Sequence, residues 1–167
     1  MKPFYMQLPE WEIRISWTFI RIGSELIEYS YRIKPEDVRA YAAARLEAEP
    51  ASDVCLSLLN ADTDAEVLHI VRDLSEQECL SGSVSLETEN RKWIAYALYQ
   101  FLCDLPREPS FDDLFAFGDL WCYLGFPKHY PWDPRTAEYV KVNDVPAMIE
   151  IHRTWLETEL TELKQSL

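Results

Sequence analysis

The stretch from Trp121 to Tyr139, WCYLGFPKHYPWDPRTAEY, sets the strongest limit on the folds open to this sequence. It holds Pro127, Pro131 and Pro134 close together. A helix interior excludes proline, because the ring removes an N–H donor and clashes with the preceding turn. The stretch therefore reads as an irregular connection between two helical patterns. It also gathers Trp121, Tyr123, Phe126, Tyr130, Trp132 and Tyr139 around His129. So aromatic a connection either caps a core or presents a contact surface, and the residues alone leave both open.

Elsewhere the sequence reads as helix. Four glycines in 167 residues leave little material for tight hairpins or phosphate-cradling loops. Leu, Ala, Glu and Arg, all good helix formers, are common instead. Met1 to Trp11 is broken by two prolines and reads as irregular. Ser16 then caps a helix over residues 17–28, with Trp17, Ile20, Leu26 and Ile27 inward and Gly23 as a weak point. Pro35 followed by Glu36 and Asp37 suits a first helical turn, and Val38, Tyr41 and Ala42 continue that helix until Pro50 stops it.

Ser52 or Asp53 opens a short helix carrying Val54, Cys55, Leu58 and Leu59. Thr63 and Glu66 have capping-box spacing for the next, which turns Val67, Leu68, Val71 and Leu74 inward. After a polar loop, Trp93, Ile94, Ala97, Leu98, Phe101, Leu102 and Leu105 mark the clearest core face, with Tyr96 and Tyr99 pointing elsewhere. Ser110 caps a helix whose apolar side is Leu114, Phe115, Phe117, Gly118, Trp121 and Leu124, with Gly125 at its C′ position. A last helix starts at Asn143 or Asp144 and buries Met148, Ile149, Trp155, Leu156, Leu160 and Leu163. The expectation is an all-α protein, a single compact domain over 1–167 of about six helices, with the aromatic connection before the last.

Charge narrows the function classes. The formal net charge is −13, and residues 35–80 hold eleven acidic side chains against three basic ones. DNA and RNA binding are disfavoured, since phosphate recognition needs a basic surface. There is no uncharged run near the roughly 20 apolar residues of a membrane helix. Met1 to Trp11 lacks the apolar region of a signal peptide, so the expected location is the cytoplasm. Cys55, Cys79, Cys103 and Cys122 are too dispersed for a Cys-x-x-Cys zinc site and read as buried thiols in a reducing compartment.

Catalytic and cofactor motifs are missing. No HExxH, GxSxG, GxGxxG or GxxxxGK[ST] pattern occurs, so no metal or other cofactor is expected. Asp112-Asp113 with Asp119 offers carboxylates, but the pair reads as helix-start charge. His69 has Asp73 four residues on, and His152 has Trp155 and Leu156 on its face, so both read as structural histidines. His129 is the one polar candidate for a site, because it sits among the aromatics.

Several short segments carry a resemblance. Ser16-Trp17 opens a helix, Ile33-Lys34-Pro35-Glu36-Asp37-Val38 starts another, and Arg91-Lys92-Trp93 enters the central one. Leu124-Gly125-Phe126-Pro127 follows an aromatic helix, and Trp155-Leu156 lies in the last. In this order they resemble a family of small acidic bacterial proteins, a domain-of-unknown-function group. The Tyr130-Pro131-Trp132-Asp133-Pro134 segment departs from its pattern. The resemblance implies a protein like the immunity proteins encoded beside bacterial toxins, and it carries over no catalytic residues.

The resulting expectation is a non-enzymatic binding protein for a partner with a basic surface, such as a cognate toxin. Glu36, Asp37, Glu47, Glu49, Asp53, Asp62, Asp64 and Glu66 would steer encounter, and Tyr130, Trp132, Arg135 and Tyr139 would anchor it. Two rival readings are a small enzyme with a cleft beside His129 and a helical scaffold or homodimer pairing through its aromatics.

Overall fold

Proline near the N-terminus frames a helix where the sequence reads as irregular. In the computed structural model, α1 spans Phe4–Glu10, with Pro3 as its N-cap and Pro9 in its last turn. Pro3 at the N-cap needs no donor, whereas Pro9 lies inside the helix and removes one i→i−4 bond; Phe4 and Leu8 turn one face inward. The helix closes as a Schellman motif: Glu12 N–H donates to Pro9 O at 2.9 Å and Ile13 N–H to Leu8 O at 2.9 Å. Glu12 takes the left-handed position, at φ 59°, that glycine usually fills.

The structure describes residues 2–25, 31–125, 127, 130–131 and 144–165. Among them are eight helices and no strand: α1, α2 (Trp17–Glu25), α3 (Pro35–Ala48), α4 (Asp53–Asn60), α5 (Asp64–Leu80), α6 (Leu86–Asp104), α7 (Phe111–Leu124) and α8 (Val145–Gln165). The all-α class is as expected, but the count exceeds the expected six, in part because α1 forms where two prolines suggest broken structure. Leu26 and Ile27, assigned by periodicity to the second helix, lie outside the described residues. Two compact units are present, Lys2–Trp93 and Ile94–Leu167, with the division inside α6.

In the first unit α2 packs along α5, and α3 against α4 and α5. Ser16 caps α2 as expected, accepting from Phe19 N–H at 3.0 Å. Glu78 of α5 adds a second cap, accepting from Trp17 N–H at 3.1 Å and Thr18 N–H at 2.8 Å. Ser52 and Thr63 cap α4 and α5 in the same way, accepting from Cys55 N–H and Glu66 N–H. Cys55 is buried in this core, whereas Cys79, Cys103 and Cys122 are exposed, contrary to the expectation for all four. Their apolar neighbours mislead, because the buried stripe of each helix passes beside them.

Gly23 is a contact point and not merely a weak point in α2. A Cβ there would stand 2.6 Å from Trp93 Cζ3 and 2.8 Å from Ile33 Cδ1, a space already filled. Gly23→Ala gains about 1 kcal/mol of helix propensity but overpacks this contact at about 1–3 kcal/mol. The expected net result is a lower urea midpoint; an unchanged or raised midpoint would show that Trp93 can yield.

The second unit has its core on α6, α7 and α8. Ile94, Ala95, Tyr96, Ala97 and Leu98 are all buried, so α6 is enclosed on every side there and Tyr96 joins the core. On α7, Phe117, Leu120, Trp121 and Leu124 are buried, but Phe115 is 62% exposed, a correction to the expected face. Gly118 lies in open space and permits no close helix approach. Ser110 and Asp113 form the expected capping box of α7, and Gly125 ends the helix at φ 76°. Hydrogen bonds from the Ser110 backbone and hydroxyl hold the Asp113 carboxyl below its usual range. On α8, Met148, Ile149, Leu156 and Leu163 are buried as expected; His152 joins them, and Trp155 and Leu160 are only partly covered.

Candidate functional site

The acidic residues of 35–80 all lie on or beside α3, α4 and α5 of the first unit, and one arginine shows how they are arranged. Arg39 Nη1 reaches Asp64 Oδ1 at 2.8 Å, and Nη2 reaches Ala61 O at 3.5 Å. The start of α3 is thereby held against the α4–α5 turn. Glu36, Asp37, Asp62, Asp64 and Glu66 share that end. Glu47, Glu49 and Asp53 belong to the other, where Ser52 N–H donates to Glu49 O at 3.2 Å and closes the turn into α4. Ten residues of α3 separate Asp37 from Glu47, which is roughly 15 Å.

Part of this charge is spent locally. Asp37 accepts from Lys34 N–H at 3.0 Å, and Glu66 accepts from Asp62 N–H at 2.9 Å. All three basic side chains of 35–80 face a carboxylate: Arg39 faces Asp64, Arg45 faces Glu49, and Arg72 faces Glu25. Glu36, Glu47, Asp53 and Asp62 are exposed and form no ion pair among the described residues. The block thus keeps its negative potential at both ends.

Between the two ends runs α4, which exposes Leu56 and Leu59 at 43% and 37%. Residues three apart share a helix face, so these leucines form one apolar spot flanked by acid. The sequence pattern assigns Leu59 to the core with Leu58. In fact Leu58 alone is enclosed, because an eight-residue helix packed on one side covers only a narrow stripe. No local signal distinguishes the two leucines.

The aromatic candidates are only partly visible. His129, Trp132, Arg135 and Tyr139 lie outside the described residues. Tyr130 is half-buried, with its ring centroid 5.9 Å from that of Trp121. Trp121 itself is core, donating from Nε1 to His152 Nε2 at 3.0 Å. His152 Nδ1 lies 2.7 Å from Met148 O, which fixes the proton on Nδ1 as donor to that carbonyl. Phe117 stacks on the imidazole with centroids 3.8 Å apart. Burial lowers the His152 pKa to about 4, against a smaller raising effect of the Met148 hydrogen bond. Both ring nitrogens are occupied, so His152 positions α7 against α8. His69, by contrast, is exposed and sits 3.6 Å from Asp73.

A sealed polar cluster that the sequence did not announce lies in the first unit. Glu89 Oε1 pairs with Lys92 Nζ at 2.7 Å, and Glu89 Oε2 accepts from Ser16 Oγ at 2.5 Å. Lys92 Nζ also donates to Arg14 O at 3.1 Å. Ser16-Trp17 and Arg91-Lys92-Trp93, far apart in sequence, therefore meet here. Among the described residues no group of three or more His, Cys, Asp or Glu side chains is placed to hold a metal ion. None of the described helices is long and apolar enough to cross a membrane. No family model matches this sequence, nor does any curated protein or solved structure.

Proposed function

We propose that this protein is a non-enzymatic binding module whose α3–α5 surface docks onto a basic surface of another protein. The observation that carries this reading is the charge arrangement of 35–80. Its three arginines are neutralised in place, while Glu36, Glu47, Asp53 and Asp62 face solvent at the two ends of α4. Charge at both ends steers a partner carrying complementary groups about 15 Å apart. Leu56 and Leu59 supply the spot that loses water on contact. A bacterial toxin held by its immunity protein is the partner that the family resemblance suggests.

The test is kinetic. The partner is isolated from the native host with the full-length protein as bait, and association is followed by stopped flow between about 0.01 M and about 0.15 M salt. The association rate is expected to fall about tenfold or more over that range. A rate that does not change with salt would overturn the steering role of this surface.

A further inference from the structure

A cleft of about 630 Å³ opens in the first unit, where the core residues Ile13, Trp17 and Tyr41 meet charged side chains at the surface. That volume lies in the range of sites for small molecules. One wall is α1 and the segment after it, which bring Tyr5 and Arg14; the other is α3, which brings Tyr41 and Arg45. Trp17 and Glu78 lie between them.

The charges in this cleft are unequal in what they have left to offer. Both oxygens of Glu78 are already engaged by the Trp17 and Thr18 amides at the start of α2, and the Thr18 hydroxyl adds a bond at 3.0 Å. Its charge is thereby matched by the positive end of that helix. Arg14 is exposed, and its guanidinium forms no ion pair among the described residues. The backbone that carries it is nevertheless fixed, because Arg14 O accepts from the buried Lys92. Arg45 lies over the Trp17 ring, 5.9 Å from its centroid. Its ion pair with Glu49 is on the exposed side, where it is weak and exchangeable. Two cations thus line the cleft with two carboxylates, Glu12 and Glu78, of which Glu78 is turned to the start of α2, in a protein whose net charge is strongly negative.

The apolar part of the cleft combines three aromatic rings with Pro9, Ile13 and Ile15. Tyr5 and Tyr41 have ring centroids 6.4 Å apart at 35°, and Trp17 meets Tyr41 edge-on at 5.7 Å. Such walls accept a flat ring, and guanidinium groups accept a carboxylate through paired N–H donors. We propose that this cleft binds an aromatic carboxylate, with its ring among Tyr5, Trp17 and Tyr41 and its carboxylate on Arg14 and Arg45. Two sources offer that chemistry: a free aryl acid, or the terminal carboxylate of a polypeptide that ends in an aromatic residue. A phosphate dianion fits less well, because the overall negative charge opposes a second negative charge.

The experiment is a titration of the ¹⁵N-labelled full-length protein with benzoate and with N-acetylphenylalanine, using benzamide and inorganic phosphate as controls. Saturable shifts of the Trp17 indole N–H and the Arg14 amide are expected with at least one of the acids. Tighter binding of benzoate assigns a free acid, and tighter binding of N-acetylphenylalanine assigns a polypeptide terminus; either upholds the site. Benzamide is expected to bind about tenfold more weakly or worse, since it lacks the charged acceptor. Arg14→Gln is expected to weaken the acid about tenfold while leaving the unfolding midpoint in place. Arg45→Lys keeps the charge but loses the fork, so it also weakens binding. The proposal is overturned if neither acid shifts these resonances, if benzamide or phosphate binds as well, or if Arg14→Gln changes nothing.

Discussion

Replacing Lys92 with methionine is expected to destabilise the first unit by about 3–5 kcal/mol, the usual result of removing one partner from a sealed ion pair. The side chains of Lys92 and Glu89 are only 4% and 3% exposed. Without the ammonium, Glu89 keeps the Ser16 hydroxyl as a hydrogen-bond donor, and Arg14 O loses its donor. A buried carboxylate with one neutral donor either stays charged at high cost or takes up a proton. The double variant, Glu89→Leu with Lys92→Met, removes both charges and is expected to recover most of the loss. Urea unfolding followed by tryptophan fluorescence measures both. A single-variant loss below about 1 kcal/mol would place the pair among exposed salt bridges and contradict its burial.

Acid is expected to weaken the second unit through His152. In the unfolded state this histidine takes up a proton near its ordinary value of 6.5; in the folded state burial holds it neutral until about pH 4. Between those values the unfolded state binds more protons, so stability falls as pH falls. The contribution is complete above pH 6.5 and gone below about pH 4, and the gap corresponds to about 3 kcal/mol. The structural cause is direct: a proton on Nε2 would meet the Trp121 indole N–H, which already donates there at 3.0 Å. The stability difference between wild type and His152→Phe, measured by urea from pH 7 to pH 4, should shrink by about that amount on acidification. Parallel pH profiles for the two proteins would show that His152 is not held neutral.

What the sequence made legible was local. Ser16, Ser52, Thr63 and Ser110 are readable as caps, and Gly125 as a C′ residue, because each rule spans only a few residues. Each of them occupies that position. What stayed hidden depends on which partner covers a face. Helical periodicity cannot tell Leu58 from Leu59, or Phe117 from Phe115, since adjacent elements set how wide the buried stripe is. Nor does it show that Glu89 and Lys92, charged and three residues apart, are enclosed and not solvated. The prolines around α1 mislead for a different reason: Pro3 sits at the N-cap, where a donor is dispensable, and Pro9 costs the helix one bond without preventing it.

The candidate surface was legible as a block of charge but not as a shape. Counting residues gives the excess of acid in 35–80, while only the contact of Arg39 with Asp64 and Ala61 divides it into two ends of one hairpin. The cleft between Tyr5 and Arg45 was invisible for the same reason. Its walls come from α1, α3 and α5 and from the segment before α2, which are distant in sequence.

Docking through the charged ends of α4 is tested most directly by neutralising the four unpaired carboxylates together: Glu36→Gln, Glu47→Gln, Asp53→Asn and Asp62→Asn. All are exposed, so the fold should persist with only a small loss at the two helix starts. Association of this variant with the isolated partner at about 0.01 M salt should be about tenfold slower than wild type, with a flatter salt dependence. A variant that associates as fast as wild type at every salt concentration would contradict it.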